Sequence, residues 1–282
     1  MIDGIKISFR SEVIEEHLGC LGVGMTIHVN DSTGEVEKKK ANYKHLTIVI
    51  YPSKTVIVKG SLHKYWKDEN YSDFSHKELI KCINDLSEKL GFNPAEAQLQ
   101  NLEFGVNINT LFSPFAFCES VIVHKQLSFN KFQSRGMQIG FQCERSQYSL
   151  KVYDKGKQYI KHQNRLRFEI KTYKMAFIRK TGITTLADLF NKKSLALLGI
   201  TLQNVYDELI IADQVVETKL TKNEKRIYNA CINPKNWEKF NRNDRYNKRK
   251  LFNNIVEKHG TNQWKKTVAR MLDEKWRMLS VL

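Results

Sequence analysis

Apolar and polar positions alternate along most of the first two thirds of the chain. With its β-branched and aromatic residues, this alternation predicts strands at Ile5–Phe9, Met25–Val29, His45–Tyr51, Thr55–Ser61, Gln98–Asn109, Met137–Cys143, Tyr148–Asp154 and Arg165–Thr172. The interval 32–44 is polar and lysine-rich and reads as a loop. The period then changes at Ser75–Leu90, where Leu79, Ile80, Ile83, Leu86 and Leu90 recur at helical spacing. Ser75 can cap that helix and Gly91 follows its end. Lys174–Arg179 and Thr185–Ala212 also read as helical, the latter with a break near Gly199. Strands interrupted by helices, without regular βαβ alternation, predict an α+β domain built on a central antiparallel sheet with flanking helices.

Beyond about residue 216 the strand pattern disappears. Thr221-Lys-Asn-Glu224 fits a capping box before a helix running to about Ile232, and Pro234 interrupts the pattern. A second helix fits Arg245–Lys258, closed by Gly260. A third fits Asn262–Leu279, with Trp264, Val268, Met271, Leu272, Trp276 and Leu279 on one stripe. The short turn between them has the spacing of a helix-turn-helix; a plain helical bundle serving as a lid or dimer contact has the same pattern. Two regions follow, 1–215 and 216–282.

Charge gives the division a meaning. The net charge is +16, a field that favours a polyanion such as nucleic acid. Residues 216–282 hold 17 Lys and Arg against 7 Asp and Glu, and residues 1–215 hold 29 against 23. The tail therefore reads as a basic helical DNA-binding domain, with Arg245, Lys248, Arg249, Lys250, Lys265 and Lys266 as its expected contacts. Trp237, Phe240, Tyr246 and Trp264 lie among these cations and can stack on bases, although core packing suits Trp264 and Trp276 better. No apolar run is long enough to span a membrane, and the first residues lack a signal-peptide pattern. Five scattered cysteines without CxxC spacing fit free thiols in a reducing cytoplasm and argue against a cysteine zinc site.

Strand alternation sorts the reactive groups. Ser149, Lys151 and Tyr153 share one face, with Lys155 just beyond. Asn101, Glu103, Gly105 and Asn107 share another, as do Arg165, Arg167, Glu169 and Lys171, and as do Lys59, Ser61 and His63. If these strands are neighbours, their faces merge into one polar floor carrying a tyrosine, two carboxylates, a histidine and several cations. That set suits phosphoryl transfer on DNA, although an amphipathic sheet with a solvated face is the simpler reading of the pattern alone.

The segment Tyr148-Ser-Leu-Lys-Val-Tyr-Asp-Lys-Gly-Lys-Gln158, followed by Leu166-Arg-Phe-Glu-Ile-Lys171, resembles the phage and plasmid gene II/X replication initiators. Val56-Ile-Val-Lys-Gly-Ser-Leu-His-Lys64, the helix end Asn84–Leu90 and the acidic strand Asn101–Ile108 resemble them in the same order, so the likeness spans roughly residues 45–215. It implies an HUH- or RRM-like nuclease core that starts rolling-circle replication. A tyrosine would nick origin DNA, leaving a 5′-phosphotyrosyl enzyme and a 3′-OH primer, and would later reseal the strand.

Residue by residue, the likeness implies Tyr153 as nucleophile with Lys155 beside it. It implies Glu103, Glu169 and His63 as metal ligands, and hard oxygen donors with at most one histidine favour Mg²⁺ or Mn²⁺. By their charge Lys59, Lys64, Lys151, Arg167 and Lys171 read as contacts to the DNA backbone, or as solvated charge. Tyr148, Tyr159 and Tyr173 are the rival tyrosines, and Lys151 and Lys155 would favour the phenolate of Tyr153. The chain departs from the wider rolling-circle pattern in lacking a paired His-hydrophobic-His motif, which leaves the ligand set the least constrained part. The partners implied are single-stranded and duplex origin DNA, and a host helicase docking on the tail is left open. Two other readings use only the basic surface: an origin-binding or copy-number regulator that does not cut, and a scaffold for RNA or another acidic partner.

Overall fold

The computed structural model describes residues 1–281. Its strands are β1 (Ile2–Arg10), β2 (Met25–Val29), β3 (Val36–Tyr43), β4 (Leu46–Ile50), β5 (Thr55–Ser61), β6 (Gln98–Asn109), β7 (Val121–His124), β8 (Leu127–Ser128), β9 (Asn130–Ser134), β10 (Met137–Glu144), β11 (Tyr148–Asp154), β12 (Arg165–Thr172) and β13 (Leu209–Ile211). Its α-helices are α1 (Ile14–Cys20), α2 (Leu62–Lys67), α3 (His76–Leu90), α4 (Pro114–Ser120), α5 (Lys155–Tyr159), α6 (Lys192–Asp207), α7 (Lys222–Ile232), α8 (Pro234–Lys239), α9 (Arg242–His259) and α10 (Trp264–Val281).

Ten strands form one antiparallel sheet in the order β2-β3-β4-β5-β1-β6-β12-β11-β10-β9, and β13, β7 and β8 form a small second sheet. The expected α+β architecture is therefore present. Within the large sheet, β1, β6, β12 and β11 are consecutive neighbours, so the alternating faces do merge. One face is apolar: Leu102, Phe104, Val106, Leu150, Val152, Leu166, Phe168 and Ile170 are all buried in the main core. Helices α6 and α10 cover it, with Tyr206 against Phe168 and Trp276 against Phe104. Burial of this many apolar side chains is the main force holding the sheet to its helices, at roughly 1.5–3 kcal/mol for each large one.

Several local expectations change. The polar interval 32–44 contains strand β3, paired with β2 and β4, because its residues lie in a sheet half whose outer positions meet solvent. Gly199 does not break its helix. It lies within α6, and a Cβ there would come within 2.3 Å of the Trp276 indole nitrogen, so the glycine makes room for α10. Pro234 opens α8 at its first turn, where a missing N–H costs nothing. The capping box at Thr221 and Glu224 is formed.

The basic tail does not pack as one unit. Ile227, Cys231, Trp237, Phe252, Ile255 and Val256 share a small core with Val123 and Ile210 of the second sheet. By contrast Val268, Leu272, Trp276 and Leu279 of α10 belong to the main core. The second helix of the expected helix-turn-helix thus buries its apolar stripe against the sheet. Asp213 anchors its start, accepting hydrogen bonds from the backbone N–H groups of Asn262 and Trp264 at 3.1 and 3.2 Å. Among the described residues, no helix is long and apolar enough to cross a membrane.

Candidate active site

The polar face of β1, β6, β12 and β11 carries a compact charged cluster. The registers place Lys151 opposite Glu169, Tyr153 opposite Arg167 and Lys171 opposite Glu103. Gly105 lies opposite Glu169, and a Cβ there would meet the Phe168 carbonyl oxygen at 2.2 Å and the Glu169 Cα at 2.8 Å. Only glycine lets the two strands approach so closely at this point, and its lack of a side chain leaves open the ground between Glu103 and Glu169.

Asp3, Glu103 and Glu169 each present a carboxylate oxygen, all within 4.8 Å of one another. Two of these carboxylates are the glutamates expected from the sequence; the third is Asp3. Arg167 organises the group: Nε donates to Glu169 Oε2 at 2.6 Å, Nη2 to Asp3 Oδ2 at 3.0 Å and Nη1 to Asn107 Oδ1 at 3.0 Å. Lys151 donates to the other oxygen of Glu169 at 3.2 Å. Asp3 also accepts from the Ser61 hydroxyl, and from Asn70 Nδ2 at 2.6 Å.

These partners divide the carboxylates electrically. Burial alone would raise the Glu169 carboxyl, but Arg167, Lys151 and Lys155 outweigh it and hold the group well below the usual carboxylate range. Glu103 has only a loose ion pair, with Lys171 at 3.8 Å. Burial, then the nearby Glu169 and Asp3, push it up to about 8. The cluster therefore holds one carboxylate whose charge is poorly answered. Three hard oxygen donors, one of them poorly answered by cations, fit Mg²⁺ or Mn²⁺.

His63 is not part of this group. The strand alternation that would have carried it onto the polar face stops at Ser61, whose side chain caps α2 by accepting from the Lys64 N–H. The turn into helix sends His63 inward, where its ring stacks on Phe74 at 4.8 Å and its Nε2 has no hydrogen-bond partner. Burial, then the positive chain amino group and Arg167, lower its pKa to about 3, so it is neutral.

Tyr153 points into the cluster but beneath it. It is 3% exposed, covered by Phe132 at 5.1 Å, and its hydroxyl lies 3.4 Å from both Glu169 Oε2 and Lys155 Nζ. Burial, then the Glu169 charge, push its pKa well above 10, against the expectation that nearby lysines favour the phenolate. Lys155 is also buried, and burial followed by Arg167 lowers its pKa to about 7. The half-buried tyrosine of this corner is Tyr159, at the end of α5. Its hydroxyl donates to Asn70 Oδ1 at 2.6 Å, the same oxygen that Lys155 reaches at 2.8 Å. One asparagine thus connects Tyr159, Lys155 and Asp3. Of the other rivals, Tyr148 is buried against Phe177 on the apolar face, and Tyr173 bonds Glu144 at the strand's far end.

A cavity of about 490 Å³ opens over Asp3 and Glu103, with Lys6, Lys59, Lys64 and Lys171 in its walls. Three of these lysines were expected DNA contacts and Lys6 was not. Arg167, also expected on DNA, is 2% exposed with its donors turned to Glu169, Asp3 and Asn107, so it positions the carboxylates instead. Lys151 is likewise committed to Glu169. In the tail, Lys265 donates to the carbonyls of Asp207 and Leu209 at 3.1 and 2.9 Å and is a structural tie, while Lys266 is exposed. Arg245, Lys248 and Arg249 are half-buried on α9 and Lys250 is exposed.

No protein-family model matches the chain, and no curated protein matches it. Among solved structures, it is similar to a rolling circle replication initiator protein from Geobacillus stearothermophilus. Identity is 13%, the match covers 80% of this chain and 90% of that one, and the TM-score is 0.37.

Proposed function

We propose that the protein nicks and rejoins single-stranded DNA at a replication origin by metal-dependent tyrosine transesterification. The observation that carries this reading is the trio Asp3, Glu103 and Glu169 beside a lysine-walled cavity, with tyrosines within the same hydrogen-bond network. Asp3, Glu103 and Glu169 would hold Mg²⁺ or Mn²⁺, which supplies charge neutralisation at the scissile phosphate. Lys6, Lys59, Lys64 and Lys171 bind the flanking phosphates.

Tyr159, rather than Tyr153, is the attacking residue in this reading, because a nucleophile has to meet the phosphorus and Tyr153 is sealed. The Tyr159 oxygen forms a bond to phosphorus and the bond from phosphorus to the 3′-oxygen breaks. The phenolic proton passes to the neutral form of Lys155, whose amine now shares Asn70 Oδ1 with the Tyr159 hydroxyl and would turn to accept it, and the departing 3′-oxygen takes a proton from solvent. The product is a 5′-phosphotyrosyl enzyme with a free 3′-OH, and reversal reseals the strand. Tyr153 holds Glu169 and Lys155 in place.

Incubation with labelled single-stranded origin DNA and Mg²⁺ or Mn²⁺ tests this by covalent adduct. Tyr159→Phe is expected to form none, and Tyr153→Phe to retain adduct formation at a reduced rate. Adduct from Tyr159→Phe and none from Tyr153→Phe would return the role to Tyr153. The second reading is an origin-binding regulator that does not cut; the tight occupation of Asp3 and Glu169 by Arg167 favours it, since salt-bridged carboxylates can be purely structural. Absence of adduct from the parent protein under every metal condition would select that reading.

A further inference from the structure

A second cationic cleft lies away from the carboxylates, between α9 and the turn joining β7 to β8. Its volume is about 530 Å³, and Lys125, Arg242, Arg245, Tyr246 and Arg249 line it together with Glu208. The four α9 residues are spaced i, i+3, i+4 and i+7, which puts them on one helix face. This first half of the helix has no core to serve: the buried apolar residues of α9 are Phe252, Ile255 and Val256, all in its second half.

The one acid present is already engaged. Glu208 Oε1 pairs with Lys125 at 3.0 Å and Oε2 with His124 at 3.0 Å. Arg242, Arg245 and Arg249 form no ion pair among the described residues, and the Arg249 Nε is buried without a hydrogen-bond partner. Beside them Tyr246 stands 71% exposed. The cleft is on the helix side of the sheet, since His124 meets Tyr148 of the apolar face.

The geometry points to a binding site for single-stranded nucleic acid in this cleft, with Tyr246 stacking on an unpaired base and Arg242, Arg245 and Arg249 holding the adjoining phosphates. Free arginines concentrated in one concavity call for phosphate, and an exposed aromatic ring among them calls for a base face that a duplex keeps stacked. A cleft of this size admits a nucleotide but not the width of a duplex. The site does not depend on the nicking reaction, so it stands or falls separately.

The test is fluorescence anisotropy of the full chain, in EDTA, with a labelled oligothymidylate of about a dozen nucleotides and a duplex of equal length. Tyr246→Ala is expected to weaken single-strand binding ~10-fold and Tyr246→Trp to preserve it. Arg242→Ala and Arg245→Ala are each expected to flatten the dependence of log affinity on log salt by about 0.7. An unaltered thermal midpoint in each variant verifies the fold. Unchanged single-strand affinity in Tyr246→Ala overturns the proposal. So does a duplex that binds as tightly as the single strand and is weakened equally by these changes, because the cleft would then be reading duplex backbone.

Discussion

The floor of the central sheet and the first half of α9 are both rich in cations, yet they differ in how those cations are answered. On the floor, Arg167 is bonded to two carboxylates and an amide, Lys151 to Glu169 and Lys155 to Asn70. On α9, three arginines line a cleft whose only acid is already paired. The first arrangement is a machine part, in which positive charge fixes where negative charge lies. The second is a surface waiting for an anion. Net charge registers both alike; the pairing separates them.

The sharpest way to test that distinction is at the acid the floor leaves least answered. Glu103→Gln is expected to lower metal-dependent adduct formation by on the order of a hundredfold or more, since a metal ion's several kcal/mol of charge stabilisation would be lost. Rate unchanged in a single-turnover assay would mean that the trio is structural. Next comes the buried guanidinium. Arg167→Met leaves Glu169 and Asp3 uncompensated and is expected to cost about 3–5 kcal/mol, seen as a fall in thermal midpoint on the order of 10 °C.

Glu103 also sets a pH dependence. Its folded pKa of about 8 lies above the ordinary 4.5, so its favourable contribution is complete below 4.5 and is lost as pH rises through 8. The midpoint of the parent, relative to Glu103→Gln, should therefore fall between pH 5 and pH 8.5. Added Mg²⁺ should recover the loss at pH 8.5 and do little at pH 5, because metal and proton compete for the same oxygens. Gly199→Ala, which drives a methyl into the Trp276 indole, is expected to cost about 1–3 kcal/mol in chemical denaturation. The smallest effect belongs to the unpaired region: Arg242→Ala should change stability by less than about 0.5 kcal/mol.

Much of the floor was legible because a strand's period is two. That rule brought Glu103, Glu169, Lys151 and Tyr153 to one face, and antiparallel pairing of β6, β12 and β11 did the rest. It failed where the strand ended. His63 continues the alternation of Lys59 and Ser61 on paper, but Ser61 caps a helix and the ring turns inward. Asp3 was missed for the opposite reason. It precedes the residues that alternate clearly, and a register shift between Ile2 and Ile5 breaks the pattern around it. An aspartate just ahead of a strong strand was the available signal. Burial is what sequence could not supply for Arg167 and Lys265, which read as DNA contacts by charge and are used up inside the protein.

The floor is drawn from distant parts of the chain: the bond between Arg167 and Asp3 joins residues 164 apart in sequence. Long-range antiparallel pairing of this kind is slow to form and cannot begin before both partners exist. On the ribosome, therefore, no nascent fragment lacking β12 can assemble the three carboxylates. A centre built this way is incomplete through most of its own synthesis; under the proposed function, a product truncated before β12 would leave the DNA around it uncut.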